Sequence, residues 1–420
     1  VFKIPRGTRD FTPDEMIKRK YVEKSIRMTF EEFGYREIQT PIFENLDLFT
    51  AKSGEQIIEE IYSFKDKSGR ELALRPELTA PVIRFYVDKL QMNPKPLKLF
   101  YLGNCYRYDR PQKGRYREFE QAGCELIGTD TPEALAELIA LSYNILRNIG
   151  LKDIKLNIGN LNILSSIFRK LNLSKQQQKQ LIPLIDKMMF DEINEILTGF
   201  GVPSQESEAF LEILKTNEIK IIEDYIKEDI EAEREFTKLK EIFDLIQNIF
   251  QIRDFQIKMS IVRGLDYYKG VVFEIDAPHL GAEKQLCGGG LYDLISMFGG
   301  RETATSGFAI GFDRSILALE SEEFDFKPLK IDAYVIPYNE DMIRTSLKIS
   351  KELREAGIKT DIDLLRRGIG KSMRYADSIN AEKVIIVGPR EIEDNSVTIR
   401  DMTTGKQEIV KIENIKKILS

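Results

Sequence analysis

Phe100-Tyr101-Leu102-Gly103-Asn104-Cys105-Tyr106-Arg107-Tyr108-Asp109-Arg110-Pro111-Gln112-Lys113-Gly114-Arg115-Tyr116-Arg117-Glu118-Phe119-Glu120-Gln121-Ala122-Gly123 is the stretch on which the reading of this chain turns. Residues 97–108 and 117–127 read as strands, and the proline and glycine of 111–115 mark a loop, so the segment is predicted to be an antiparallel hairpin with a basic tip. Residues 104–117 hold five basic side chains (Arg107, Arg110, Lys113, Arg115 and Arg117) against the single acid Asp109. A guanidinium is a planar fork that pairs with phosphate oxygens at two points. Arg107 sits in a strand and can be held rigidly, whereas Arg110, Lys113 and Arg115 belong to the loop, and Phe119 just beyond can stack on a base. The same charges would also suit a solvated, salt-bridged strand pair. The surrounding sequence has to decide.

Working outward, Thr12-Pro13-Asp14-Glu15 is a capping box with proline at the first helical position, followed by apolar residues at helical spacing until Gly34. Residues 35–43 are extended, 60–65 and 71–74 are strand-like, and a helix is predicted from Pro132, capped by Thr131, to about Ile149. From about residue 162 to 250 the pattern becomes helical throughout and is read as an insertion. Strands return near 256–262 and 271–276, then a Gly288-Gly289-Gly290 loop, then 306–312 leading into a helix. Beyond an acidic linker at 321–328 the rhythm is βαβαβ, which predicts a small domain with a mainly parallel sheet. The domain boundaries follow: a core of 1–161 and 251–325, a helical insertion at 162–250, and a C-terminal domain at 329–420.

Bulk properties narrow the chemistry. The 420 residues carry a net charge of −6, so no global attraction to a polyanion is expected. The charge is segregated: the basic hairpin contrasts with 216–245, where ten acidic residues face five basic ones. No apolar run approaches the roughly 18 residues of a membrane span, and the charged first residues do not resemble a signal peptide, so a cytoplasmic enzyme is expected. Cys105, Cys124 and Cys287 form no C-x-x-C pair, and His279 is the only histidine, so no protein-bound zinc is expected. His279 lies in the turn-like Ala277-Pro278-His279-Leu280-Gly281 and reads as a loop residue, which leaves arginines and carboxylates to do the chemistry.

Gly307-Phe308-Ala309-Ile310-Gly311-Phe312-Asp313-Arg314 is a strand breaking into a helix, with glycines that permit close backbone approach. Neither it nor the glycine triplet matches a Walker phosphate loop or a dinucleotide-binding turn. An ATP site built on the sheet arginines would therefore have to be a different architecture.

The order of segments is more specific than any one of them. Gly34-Tyr35-Arg36-Glu37-Ile38-Gln39-Thr40-Pro41 resembles motif 1 of the class II aminoacyl-tRNA synthetases, residues 100–123 resemble motif 2, and Gly307 to Arg314 resembles motif 3. Within that class, four further stretches are similar to the histidyl-tRNA synthetases. They are Pro5-Arg6-Gly7-Thr8-Arg9-Asp10, Leu74-Arg75-Pro76-Glu77-Leu78-Thr79-Ala80-Pro81, Arg263-Gly264-Leu265-Asp266-Tyr267-Tyr268 and Cys287-Gly288-Gly289-Gly290-Leu291-Tyr292-Asp293. The resemblance spans nearly the whole chain and weakens only in the insertion. It implies an α+β fold: a class II antiparallel sheet core with a helical insertion, plus a C-terminal α/β anticodon-binding domain.

What the resemblance implies for function is a histidine–tRNA ligase. Such an enzyme forms histidyl-adenylate from L-histidine and ATP with Mg2+, then passes the histidyl group to the 3′-terminal ribose of histidine tRNA. Carried onto matching positions, Arg107 would grip the α-phosphate, Arg115 and Arg314 the outer phosphates, and Phe119 the adenine. Arg263 would stabilise the charge that builds on the α-phosphate. Glu77, Thr79 and Gln121 would hold the α-amino group, and Glu125 and Tyr268 the two imidazole nitrogens, with Tyr267 and Tyr292 lining the pocket. Arg110 and Gln112 match positions that meet the extra 5′ guanine of histidine tRNA, and Lys359, Arg366, Arg367, Lys371 and Arg374 are expected on the anticodon side. Motif 1 implies a homodimer.

Two positions depart from the family. Asp109 stands where glutamate commonly reads the adenine amino group, and Leu291 stands where arginine often follows the glycine triplet. Two other readings share the architecture. A non-catalytic regulatory relative of histidine biosynthesis would typically lack the C-terminal domain and lose motif residues, whereas Arg107, Arg263 and Arg314 are all present. A prolyl, threonyl or glycyl enzyme would not carry the stretches at 263–268 and 288–293.

Overall fold

The computed structural model describes residues 2–53, 55–110, 114–262 and 267–419. Arg263 and Gln112 therefore lie outside the described residues, as do Pro111, Lys113 and residues 264–266. The chain divides into two compact units, residues 1–11 with 18–325, and residues 12–17 with 326–420.

The opening helix, Pro13–Glu32, starts on the capping box the sequence predicts: Thr12 N–H donates to Glu15 Oε2 at 2.7 Å, and Glu15 N–H to Thr12 Oγ1 at 3.3 Å. Gly34 closes it at φ +78°. Its inner face buries Val22, Ile26 and Phe30, with Phe30 stacked 4.8 Å from Phe100 in the central sheet.

Among the described residues, eleven strands in chain order build the first unit: β1 (Arg36–Glu37), β2 (Phe43–Asn45), β3 (Ser63–Lys65), β4 (Glu71–Leu74), β5 (Leu97–Tyr106), β6 (Glu118–Ile127), β7 (Lys155–Asn160), β8 (Phe255–Ile257), β9 (Tyr268–Asp276), β10 (Gln285–Tyr292) and β11 (Thr305–Gly311). Eight of them form one sheet in the order β1-β5-β6-β11-β10-β9-β7-β8, and β2-β4-β3 form a small second sheet. Every pairing in the large sheet is antiparallel except β1 with β5 and β7 with β8. The predicted hairpin is β5–β6, with Tyr101 opposite Gly123 and Cys105 opposite Phe119.

One expectation is corrected. Gly288, Gly289 and Gly290 are not a loop but the middle of β10, paired with β9 on one side and β11 on the other. The physical reason is crowding. A β-carbon at Gly289 would overlap the carbonyl oxygen of Gly307 and stand 2.5 Å from Phe308 Cβ, so the triplet is what lets the sheet close here. Of residues 60–65, predicted as a strand, 63–65 form β3, while Glu60 ends a 3₁₀ helix, Glu55–Glu60.

The helix Pro132–Asn148 is capped by Thr131, whose hydroxyl accepts from Ala134 N–H at 3.4 Å, and Gly150 follows at φ +112°. Residues 161–244 hold six helices: Leu161–Lys170, Lys175–Asp186, Phe190–Gly199, Ser204–Lys215, Ile219–Ile226 and Ile230–Asp244. Each buries an apolar face, as the helical spacing of that stretch requires.

The second unit carries β12 (Ile331–Pro337), β13 (Thr360–Ile362), β14 (Ala381–Val387), β15 (Ser396–Asp401) and β16 (Gln407–Lys411) in the order β13-β12-β14-β15-β16. The first three are parallel, as the βαβαβ rhythm predicts; β15 and β16 extend the sheet antiparallel. Successive residues of β12 enter different cores. Ala333 and Val335 pack with Ile349 and Leu353 of the helix Ile343–Glu355, while Tyr334 and Ile336 pack with Ala376 of the helix Ile369–Ser378. A parallel strand buried on both faces reads as a continuous apolar run for this reason. Among the described residues, no helix is long and apolar enough to cross a membrane.

Candidate active site

Side chains two apart on a strand share a face. On the β5–β6 hairpin this places Tyr101, Cys105 and Arg107 together with Phe119, Gln121 and Glu125, over a floor of Gly288, Gly307, Ala309 and Gly311 from the next strands. The floor is bare because these residues are small. The result is a cavity of about 560 Å³. Arg107, Asp109, Arg115, Phe119, Arg314, Glu77, Thr79, Gln121, Glu125, Tyr267, Tyr268 and Tyr292 all line it, and Arg110 does not.

At one end Glu125 is buried to 1% exposure. Its Oε1 accepts from Tyr101 Oη–H at 2.9 Å and its Oε2 from Tyr292 Oη–H at 2.5 Å. Burial pushes the Glu125 carboxyl up to about 8, and the hydrogen bonds from Tyr292 and Tyr101 pull the other way. The rings of Tyr267, Tyr268 and Tyr292 cluster beside it, 4.9 to 6.1 Å between centroids. Glu77 is fixed by its own turn: its carboxylate accepts the N–H groups of Thr79 at 2.7 Å and Ala80 at 3.1 Å, capping the helix Thr79–Phe85. Gln121 Oε1 accepts from Cys105 Sγ at 3.4 Å.

The other end is cationic. Arg107 donates through Nε to Pro76 O at 2.9 Å and lies 5.2 Å from the centre of the Phe119 ring. Arg314 donates from Nη1 to Gln285 O at 3.1 Å and pairs with Glu283 at 2.5 Å, while Arg115 pairs with Asp109 at 3.1 Å. Burial lowers the Arg314 pKa, and the nearby charges of Arg115 and Arg107 lower it further, although Glu283 opposes them. Three guanidiniums thus converge on one wall, a field suited to a polyanion. One cavity thus has a carboxylate-and-tyrosine end and an end with three guanidiniums, two of them paired with the carboxylates of Asp109 and Glu283.

The whole sequence agrees with known proteins. Residues 7–314 match the family model described as histidyl-tRNA synthetase, and residues 332–420 match the anticodon binding domain. The chain is 43% identical over 419 residues to the histidine–tRNA ligase of Methanocaldococcus jannaschii, covering 99% of both chains. It is 42% identical over 415 residues to that of Archaeoglobus fulgidus, covering 99% of this chain and 98% of the relative. The apo histidyl-tRNA synthetase of S. aureus superposes with a TM-score of 0.75 at 30% identity, over 100% of both chains. The chain belongs to the histidyl-tRNA synthetase family.

Its fold is that of a class II synthetase: an antiparallel sheet core with helices and a C-terminal anticodon-binding domain. Several residues outside the predicted set hold the site's side chains and strands in place. Tyr101 lies outside the predicted site residues, although the hairpin register puts it two residue pairs from Glu125, on the same face. Asp313, beside Arg314, is another. It is 5% exposed, and its Oδ1 accepts from Arg9 at 2.7 Å and Arg19 at 2.6 Å, its Oδ2 from Glu120 N–H at 2.8 Å. Arg75 is buried and donates to the carbonyls of Asn104, Thr40 and Pro41, tying the end of motif 1 to β5. His279 lies outside the cavity, with Nδ1 3.5 Å from Asp153.

Proposed function

We infer that the cavity activates histidine at one end and holds ATP at the other. The chain is an aminoacyl-tRNA ligase that joins histidine to its tRNA. In the first half-reaction the histidine carboxylate attacks the α-phosphorus of ATP, the bond to the β-phosphate oxygen breaks, and pyrophosphate leaves. In the second, a ribose hydroxyl of the tRNA end attacks the adenylate carbonyl and AMP leaves. Neither step requires a protein nucleophile.

The roles are those the family resemblance implies, carried by residues that line the cavity. Arg107 grips the α-phosphate, Arg115 and Arg314 the outer phosphates, which enter with their Mg2+ as part of the substrate. Phe119 stacks on adenine, and Asp109 meets the adenine amino group. Glu77, Thr79 and Gln121 take the α-amino group; Glu125 and Tyr268 take the imidazole nitrogens, between Tyr267 and Tyr292. An amino acid without an imidazole N–H would leave Glu125 buried and unpaired toward the ligand, a cost of about 1–3 kcal/mol. Such sites discriminate without editing. Arg263, outside the described residues, completes the charge on the α-phosphate by resemblance alone, and Arg110 and Gln112 meet the 5′ end of the tRNA on the same basis. We assign catalysis to 1–161 and 251–325, the insertion to 162–250 and anticodon binding to 329–420. The enzyme is read as a cytoplasmic homodimer.

The observation that carries the reading is Glu125 held between Tyr101 and Tyr292 in the same cavity as three guanidiniums. Histidine-dependent exchange of pyrophosphate into ATP tests it. Exchange with histidine and not with proline, threonine or glycine is expected; no exchange with histidine overturns it. Light scattering at assay concentration checks the dimer, and a monomer would contradict it.

A further inference from the structure

The N-terminal residues before the first helix run across both phosphate-binding elements. Gly7 O accepts from Arg117 N–H at 2.9 Å, at the base of the β5–β6 loop. Two residues on, the Arg9 guanidinium lies 3.4 Å from the centre of the Tyr116 ring, and Tyr116 adjoins Arg115. The same guanidinium donates to Asp313 at 2.7 Å, and Asp313 adjoins Arg314. One side chain therefore touches the immediate neighbour of each outer-phosphate arginine.

The chemistry around it is balanced. Arg19 donates to Asp313 at 2.6 Å and to Glu120 at 2.8 Å, so two guanidiniums face two carboxylates. Burial raises the Glu120 pKa, although Arg19 holds it down in part. Arg19 comes from the helix and reaches the strand, Asp313 and the rings of Phe11 and Phe312. Arg9 alone adds the loop, through Tyr116.

We propose that Arg9 is a positioning residue for ATP: it ties the motif 2 loop to the start of the motif 3 helix and so sets the spacing of Arg115 and Arg314. The proposal rests on the reading of those two arginines as phosphate ligands. Lysine cannot replace it, because a compact ammonium lacks the plane that lies on the Tyr116 ring while donating to Asp313.

The test is pyrophosphate exchange with the full-length enzyme, with KM for ATP and for histidine measured separately. Arg9→Ala and Tyr116→Ala should each raise the KM for ATP by about tenfold, the scale of a lost cation–π contact, and leave that for histidine within about twofold. Arg9→Lys keeps the buried charge balance and guards against a variant that fails to fold; it should show most of the ATP defect at an unchanged Tm. The Arg9→Ala, Tyr116→Ala double variant should be no worse than either single one. Equal rises for both substrates, additive effects, or full activity of Arg9→Lys would overturn the proposal. Arg314→Ala separates the two layers. A raised KM for ATP there with normal Arg9 variants sinks only the positioning role; an unchanged one sinks the phosphate reading beneath it.

Discussion

The Glu125 carboxylate occupies the space where residue 307 would carry a β-carbon. The two residues are paired across β6 and β11, and a methyl group at 307 would overlap Glu125 Oε2. The glycine of motif 3 thus holds open the seat of a side chain on β6, just past motif 2. Gly307→Ala should push the carboxylate off Tyr292 and Tyr101. We expect the KM for histidine to rise by roughly tenfold or more, with about 1–3 kcal/mol of overpacking strain on stability. The KM for ATP should change far less. Steady-state exchange kinetics check this, and an unchanged histidine KM would count against Glu125 as the imidazole ligand.

Glu125 should also leave a mark on stability against pH. Its carboxyl is raised by burial from 4.5 to about 8. Between those values the folded chain binds a proton that the unfolded chain has released, so stability falls as pH rises through that window, by at most about 1.4 kcal/mol per pH unit, and levels off above it. Glu125→Gln has nothing to titrate. The Tm of the variant, minus that of the parent, should grow more positive from pH 5 to about 8. A flat difference across that range would show that the carboxyl keeps its ordinary pKa.

The legible parts were those where local chemistry and order coincide. The capping box at Thr12, the β5–β6 hairpin and the parallel start of the C-terminal sheet each follow from periodicity and turn residues. The glycine triplet misled because glycine usually marks a turn, and only the neighbouring strands explain it as a packing requirement. Strands β15 and β16 escaped because they follow a rhythm that had seemed complete at residue 387. Tyr101 and Asp313 needed three-dimensional pairing: one acts on a side chain 24 positions away, the other on a segment 304 positions away. The family resemblance named ligands of substrate, not the residues that hold those ligands in place.

Arg75 belongs to that second kind. Its guanidinium sits over Gly103, where a β-carbon would overlap Nη2, and its hydrogen bonds to three carbonyls would be lost if it moved. Gly103→Ala should destabilise the fold by roughly 1–3 kcal/mol. Thermal unfolding reads this directly. Arg75→Lys should be nearly as harmful, since one ammonium cannot reach three carbonyls from that plane. A Gly103→Ala protein that melts with the parent would mean Arg75 has room to shift.

The two arginines assigned to the outer phosphates differ in how firmly the protein already engages them. Arg115 is 51% exposed and pairs with Asp109 at 3.1 Å, whereas Arg314 is 28% exposed and pairs with Glu283, itself 18% exposed, at 2.5 Å. A solvent-screened pair is worth little; a half-buried one competes with an incoming phosphate. Asp109→Asn frees Arg115 of a weak pair while keeping an amide oxygen to accept from the adenine amino group, so it should alter the dissociation constant for ATP by less than about twofold, whereas Glu283→Gln should tighten it by roughly fivefold. Calorimetric titration of ATP into each variant, with histidine absent, measures both. Weaker binding by Glu283→Gln would mean that this carboxylate helps to hold the nucleotide, through the metal ion that accompanies it, and does not compete with it for Arg314.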